Sequence, residues 1–172
     1  MRILFFLLAL SAQAWAVPFH DLTEKDIDGK AYPLAALKGK SVLVVNIASQ
    51  CGYTDQLADL QKLHAKYASR GFIVLGVPSN DFGGQTPEDD QGMKEFCQKK
   101  YNVAFPLLSK GPVKGDAKRP LYAHLTGESA KKGEVTWNFT KFLVNGDGVV
   151  VGRWSASDRT DNLEGEIEKL LK

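Results

Sequence analysis

Two apolar runs without polar alternation, Val42 to Ile47 and Phe72-Ile73-Val74-Leu75-Gly76-Val77, bracket a single amphipathic segment. Successive side chains of a strand point to opposite faces of a sheet, so an apolar run without polar alternation must be covered on both faces. The segment between them, about Asp55 to Ser69, places Leu57, Leu60, Leu63, His64 and Tyr67 at helical spacing, and Gly71 ends it. A strand, a helix and a second strand of these lengths make a parallel pair joined by a right-handed crossover.

The rest of the chain extends this unit. Thr23 to Leu34 contains Asp28-Gly29, a tight-turn dipeptide that predicts an N-terminal β-hairpin. Thr86-Pro87-Glu88-Asp89 predicts a helix start, with Thr86 as N-cap and Pro87 in the first helical position. Met93, Phe96, Cys97 and Lys100 carry that helix onward, so Cys97 falls in its last turns. Asn145-Gly146-Asp147-Gly148 separates Lys141-Phe142-Leu143-Val144 from Val149 to Trp154 and predicts an antiparallel hairpin. A last helix from about Asn162 has Leu163, Ile167, Leu170 and Leu171 on one face. A β-α-β half followed by a β-β-α half is the thioredoxin-like arrangement: an α/β fold with a central mixed β-sheet flanked by helices, here with the N-terminal β-hairpin added. No internal repeat or linker divides it.

Met1-Arg2, the apolar run Ile3 to Leu10 and the small-x-small triplet Ala14-Trp15-Ala16 read as a secretory signal peptide over residues 1–16, leaving 17–172 as one domain. The run is too short to span a bilayer, and no other stretch suggests stable membrane insertion. The expected location is therefore exported, periplasmic or secreted. The formal net charge of +2 is evenly spread, which argues against a nucleic-acid or anionic-membrane surface and leaves small molecules or another protein as partners. His20, His64 and His124 are scattered, and no cysteine–histidine spacing resembles a ligand set, so neither a metal nor another cofactor is expected.

Both cysteines, Cys51 and Cys97, lie beyond the leader, and export puts them where a disulfide can persist. Cys51 stands where an apolar strand ends in a polar turn and a helix begins. Backbone N–H groups at such a helix start hydrogen-bond anions and favour a thiolate over a thiol. A domain of this size folds without a staple. Cys97 sits within a helix, from which it reaches a partner only if the two Cα atoms come within about 7 Å. A bridge that forms and breaks, with local unwinding around Cys97, is the expectation; a structural disulfide is the alternative.

Three segments carry a family resemblance: Asn46-Ile47-Ala48-Ser49-Gln50-Cys51-Gly52-Tyr53-Thr54, Pro78-Ser79-Asn80-Asp81-Phe82-Gly83-Gly84-Gln85 and Trp137-Asn138-Phe139-Thr140-Lys141-Phe142-Leu143. In this order they resemble the signature segments of the glutathione peroxidase family, and the resemblance runs from about Phe19 to the C-terminus. It implies a thioredoxin-like fold and reduction of hydroperoxides by a cysteine, without a cofactor. Cys51 would match the peroxidatic position, and Gln85, Trp137 and Asn138 the other members of the catalytic tetrad. Cys97 lies in a segment similar to the one holding the resolving cysteine of two-cysteine members, whose reductant is thioredoxin-like rather than glutathione; a thioredoxin-like protein, or a small thiol such as glutathione, is the expected reductant here. The short stretch between Tyr122 and Trp137 lacks the insertion that tetrameric relatives use, which implies a monomer.

The residue types suit that chemistry. A thiolate attacks one peroxide oxygen and the other leaves with a proton. Gln85, Trp137 and Asn138 offer N–H donors that hold thiolate and peroxide, and none titrates near neutral pH. Asn138-Phe139-Thr140 also matches an N-glycosylation acceptor, which a site role for Asn138 makes accidental. Val77, Ser79, Asp81 and Thr86 depart from the common pattern; Asp81 brings a negative charge toward the site, expected to disfavour the thiolate. The segment Arg153-Trp154-Ser155 lacks the proline usual after this strand. Two other readings remain. A thiol–disulfide oxidoreductase would normally carry Cys-x-x-Cys, whereas Thr54 holds the second position here; a non-catalytic small-ligand-binding protein could reuse the fold.

Overall fold

The computed structural model describes residues 17–171, and the expected signal peptide, residues 1–16, lies outside them. Strands β1 (Thr23–Lys25) and β2 (Ala31–Pro33) form the expected hairpin, pairing Glu24 with Tyr32. Its turn closes on the Asp26 carboxylate, which accepts the N–H groups of Asp28 at 3.0 Å and Lys30 at 2.8 Å.

The main sheet contains β3 (Ser41–Ile47), β4 (Phe72–Pro78), β5 (Lys141–Val144) and β6 (Val150–Trp154) in the order β4-β3-β5-β6. β3 and β4 are parallel, joined by α1 (Gln56–Tyr67), and β5 runs antiparallel to both its neighbours. Every residue of β3 is buried, as a run without alternation requires. Its alternate side chains enter two separate cores. Leu43, Val45 and Ile47 pack with Leu57, Leu60 and Leu63 of α1, Met93 and Cys97 of α2 (Asp90–Tyr101), and Leu163 and Ile167 of α4 (Asp161–Leu170). Val42 and Val44 pack on the opposite face with Leu121, Tyr122 and Leu125 of α3 (Pro120–Glu128). Each such side chain contributes roughly 1.5–3 kcal/mol of burial, so the central strand anchors both layers.

Two boundaries and one whole helix differ from the sequence expectation. The helix expected from Thr86 starts at Asp90, capped by Asp89, whose carboxylate accepts the Gly92 N–H at 2.8 Å. Thr86 is instead buried and closes the preceding loop: its hydroxyl donates to the Ser79 carbonyl at 2.7 Å, and its N–H donates to the Asn80 side chain at 2.8 Å. Helix α3 has no counterpart in the sequence reading, because Leu121, Tyr122, His124, Leu125 and Thr126 are all buried and leave no polar face to reveal a period. Finally, α1 stops at Tyr67 and a 3₁₀ turn over Ala68–Arg70 leads to Gly71, whose φ of +83° only glycine adopts readily.

Candidate active site

Sheet topology brings the three signature segments to one edge. β3 and β4 are parallel and in register from Ser41↔Phe72 to Ile47↔Pro78, so the loops that follow them leave side by side. β5 is antiparallel to β3, with Val45 opposite Lys141, so the segment that precedes β5 arrives at that same end. Loops beyond the C-terminal ends of parallel strands are the usual place for chemistry in such sheets.

Cys51 is 9% exposed and begins a series of tight turns rather than the helix itself. The N–H groups of Thr54, Gln56, Leu57 and Ala58 each bond the carbonyl three residues back, at 3.0–3.1 Å, and α1 proper starts at Gln56. The Tyr53 N–H points at the Cys51 Sγ at 3.5 Å, so a backbone donor from this lead-in does face the sulfur. Thr54 holds the turn: its Oγ1 accepts the Cys51 N–H at 3.0 Å and lies 2.8 Å from the Cys51 carbonyl and 3.0 Å from that of Ala48. The position of the second cysteine in a Cys-x-x-Cys motif is thus filled by a buried hydroxyl that organises the turn around Cys51.

Gln85 ties the second segment to the first. Its carbonyl accepts the Gln50 N–H at 3.0 Å and the Ser49 hydroxyl at 3.3 Å. Ser49 also contacts the Glu88 carboxylate at 2.5 Å. Gly83 and Gly84, with φ of +66° and +65°, turn the chain back so that Gln85 faces the site; side chains at these positions would strain the backbone. The Asn138 Nδ2 donates to Gln85 Oε1 at 2.9 Å, and Asn138 is fully buried. The structure thus brings Gln85 and Asn138 together: one of the two Asn138 amide N–H groups is on Gln85, and the Gln85 amide NH2 makes no hydrogen bond among the described residues. Burial also rules out glycan attachment at Asn138 in the folded chain.

Trp137 stays 40% exposed and stacks at a tilt on Phe82, with ring centroids 5.9 Å apart. Its carbonyl accepts from Asn46 Nδ2 at 3.1 Å and from the Thr140 hydroxyl at 3.0 Å, while the Asn46 carbonyl accepts the Phe139 N–H at 2.6 Å. Asn46 and Lys141 are site-building residues that sequence reasoning did not single out. A lone amide inside an apolar strand was the available signal for Asn46; nothing local marks Lys141 as buried.

Cys97 has no exposed surface and shares an apolar cluster with Cys51. Burial, reinforced by the Glu88 carboxylate, pushes its thiol up to about 12, so it is protonated at neutral pH. Both cysteines are free thiols. Tyr101, at the end of α2, donates to the Asp55 carboxylate at 2.8 Å and so links the helix holding Cys97 to the turn that follows Cys51.

The Asp81 carboxylate turns to another loop, accepting the N–H of Val113 at 2.6 Å and of Lys114 at 3.3 Å. An asparagine side chain would keep an acceptor oxygen for these donors, so Asp81→Asn isolates the charge. It is expected to raise the rate constant for peroxide several-fold; an unchanged or lower stopped-flow rate would remove the idea that Asp81 disfavours the thiolate. The three histidines have structural contacts: His20 with the Leu34 and Gly146 carbonyls, His64 accepting from the Val74 N–H, and His124 with the Val17 carbonyl. Among the described residues no group of three His, Cys, Asp or Glu side chains converges on a metal position, and no helix is long and apolar enough to cross a membrane.

Comparison with known proteins agrees with this arrangement. The chain is 48% identical over 155 residues to the glutathione peroxidase-like peroxiredoxin gpx1 of Schizosaccharomyces pombe, covering 89% of this chain and 98% of the relative. The crystal structure of Trgpx in its apo form superposes with a TM-score of 0.74 at 34% identity, covering 90% of this chain and 96% of that one. A thiol:disulfide interchange protein of the thioredoxin family from Chlorobium tepidum superposes with a TM-score of 0.70 over 94% of this chain and all of its own, at 23% identity, a likeness of fold alone. The sequence model of the family described as glutathione peroxidase matches residues 19–126. With a thioredoxin-like fold and a cysteine, a glutamine and an asparagine gathered at one end of its sheet, the chain belongs to the glutathione peroxidase family, whose members are peroxidases.

Proposed function

We propose that Cys51 is the peroxidatic nucleophile of a two-cysteine thiol peroxidase. The Cys51 thiolate attacks one oxygen of the hydroperoxide, the O–O bond breaks, and the other oxygen leaves as water or an alcohol after taking a proton. Cys51 is left as a sulfenic acid. The Tyr53 N–H and the Gln85 amide stabilise the sulfur and the departing oxygen, Asn138 holds Gln85 in orientation, and the exposed Trp137 indole covers the mouth. Cys97 then condenses with the sulfenic acid, forming the Cys51–Cys97 disulfide and releasing water, and an external dithiol is oxidised as it restores both thiols. A thioredoxin-like protein is the preferred reductant over glutathione, because a protein dithiol attacks an internal disulfide and resolves within itself. The chain works as a monomer in an exported compartment, an expectation resting on the leader-like residues 1–16 and the short stretch before Trp137.

The observation that carries the reading is the Asn138–Gln85 hydrogen bond at 2.9 Å, made between two distant segments beside the Cys51 turn. The test is reaction of the reduced protein with one equivalent of hydrogen peroxide, followed by thiol counting and intact mass. Two thiols are expected to disappear with the loss of two hydrogens. Retention of both thiols, or a rate no faster than a free cysteine, would overturn the proposal and favour a binding role for the fold.

A further inference from the structure

Lys141, the first residue of β5, has no exposed surface at all. It lies between Val45 of β3 and Trp154 of β6 in the sheet. An ammonium group away from water is costly unless other groups replace the water, and an aliphatic side chain would fill the same space without that cost. Here two carbonyls take the place of water: Lys141 Nζ donates to Phe139 at 3.0 Å and to Ser155 at 3.3 Å. These belong to different loops, the Trp137–Thr140 turn and the turn that follows β6.

The first loop needs such a hold. Phe139 has φ of +61°, in the left-handed region that a side-chain-bearing residue occupies at a cost and keeps only where its surroundings impose it. The surroundings are visible. The Phe139 N–H is bound by Asn46, its carbonyl by Lys141, and the Trp137 carbonyl by Asn46 and Thr140. Asn138 stands between these two fixed residues, and its direction toward Gln85 follows from theirs. Lys141 supplies the charged bond of the set, the kind that is strongest when desolvated.

We propose that Lys141 is a positioning residue for the peroxidase reaction, clamping the Phe139 carbonyl to the Ser155 carbonyl and so aiming Asn138 at Gln85. This rests on the assignment of Cys51, Gln85, Trp137 and Asn138 as the reaction centre. The clamp also has a pH range. Burial lowers the Lys141 amine to about 8, against the attraction of Asp158 in the turn after β6. The Asp158 carboxylate is itself engaged by the Ser155 N–H and hydroxyl, both at 2.7 Å. Val45 and Trp154 do not titrate. Lys131, Lys132, Glu134 and Arg153 line the cleft outside Thr140 and Ser155, where the Arg153 guanidinium is taken up by the carbonyls of Lys131, Gly133 and Glu134. Above about pH 8 the amine loses its charge and holds the two carbonyls less tightly.

The experiment follows Cys51 oxidation by hydrogen peroxide in a single turnover from pH 6 to 10, in the full reduced protein. Lys141→Met is expected to lower the rate constant at pH 7 at least about tenfold, whereas in an Asn138→Ala background it should cost less than about threefold, because residues acting as a unit are non-additive. The unsubstituted protein should show a decline above pH 8 that Asn138→Ala lacks, a comparison that holds even where Lys141→Met fails to fold. Equal losses in both backgrounds, or the same alkaline decline in Asn138→Ala, would overturn the clamp. Cys51→Ser separates the two levels: peroxide consumption that survives it rejects the reaction centre, while a silent Cys51→Ser beside an unaffected Lys141→Met rejects the clamp alone.

Discussion

Replacing Cys51 with serine is expected to lower the rate of peroxide reduction by on the order of a thousandfold or more while leaving the fold intact. A serine hydroxyl is not ionised at neutral pH and is a poor nucleophile toward an O–O bond. The architecture barely depends on the sulfur. Cys51 is held through its backbone, with its N–H on the Thr54 hydroxyl at 3.0 Å and its carbonyl accepting the Thr54 N–H at 3.0 Å. The one bond to Sγ among the described residues, from the Tyr53 N–H, is available to a serine oxygen as well. The stability change should therefore stay within about 1 kcal/mol, which thermal unfolding would register. A variant that folds and keeps more than a tenth of the rate would place the chemistry elsewhere.

Cys97→Ser should separate the two halves of the cycle. The first peroxide reduction is expected at the original rate, because Cys97 sits in the core beneath the site and contributes no donor to it. The product should gain one oxygen and remain a sulfenic acid, and turnover with thioredoxin should fall to background. Sustained turnover would contradict a resolving role. The physical demand on Cys97 is large: it is fully buried, protonated, and within a regular helix. A disulfide needs Cα atoms within about 7 Å and a specific torsion, which the proposed cycle would meet by opening the end of α2. That end is built to do so. The Val103 N–H closes on the Cys97 carbonyl at 3.2 Å and the Asn102 N–H on Gln98 at 3.0 Å, around Asn102 in a left-handed conformation. Unwinding as far as Cys97 breaks this closing motif, the Tyr101–Asp55 bond, the Lys99–Glu95 pair and the helical backbone bonds of residues 98–101, while the first two turns of α2 stay capped by Asp89. Amide exchange over 98–103 should accordingly be faster in the oxidised protein than in the reduced one.

Readings that depended on local spacing agree with the structure. The unbroken apolar runs became β3 and β4, Asp28-Gly29 and Asn145 to Gly148 became hairpin turns, and the leucine spacing after Cys51 became α1. Misreadings arose where a local signal had a competitor at longer range. Thr86-Pro87 looks like a helix start, yet Thr86 bonds Ser79 and Asn80, and Asp89 takes the cap. Helix α3 left no amphipathic trace because it is buried on most sides.

The order of most strands and helices, the family, and the candidate set of Cys51, Gln85, Trp137, Asn138 and Cys97 were legible in the chain alone. Apolar periodicity, turn dipeptides and signature segments are properties of neighbouring residues and need no knowledge of what lies across the fold. How these residues are placed against one another is a matter of long-range pairing. The registers of β3 with β4 and β5 set which loops meet, and with them that Asn138 bonds Gln85, that Trp137 stays partly in solvent, and that Cys97 is sealed in the core. The same registers bury Lys141 under the Phe139 turn, because a strand's first residue is exposed or enclosed according to the strands and loops beside it.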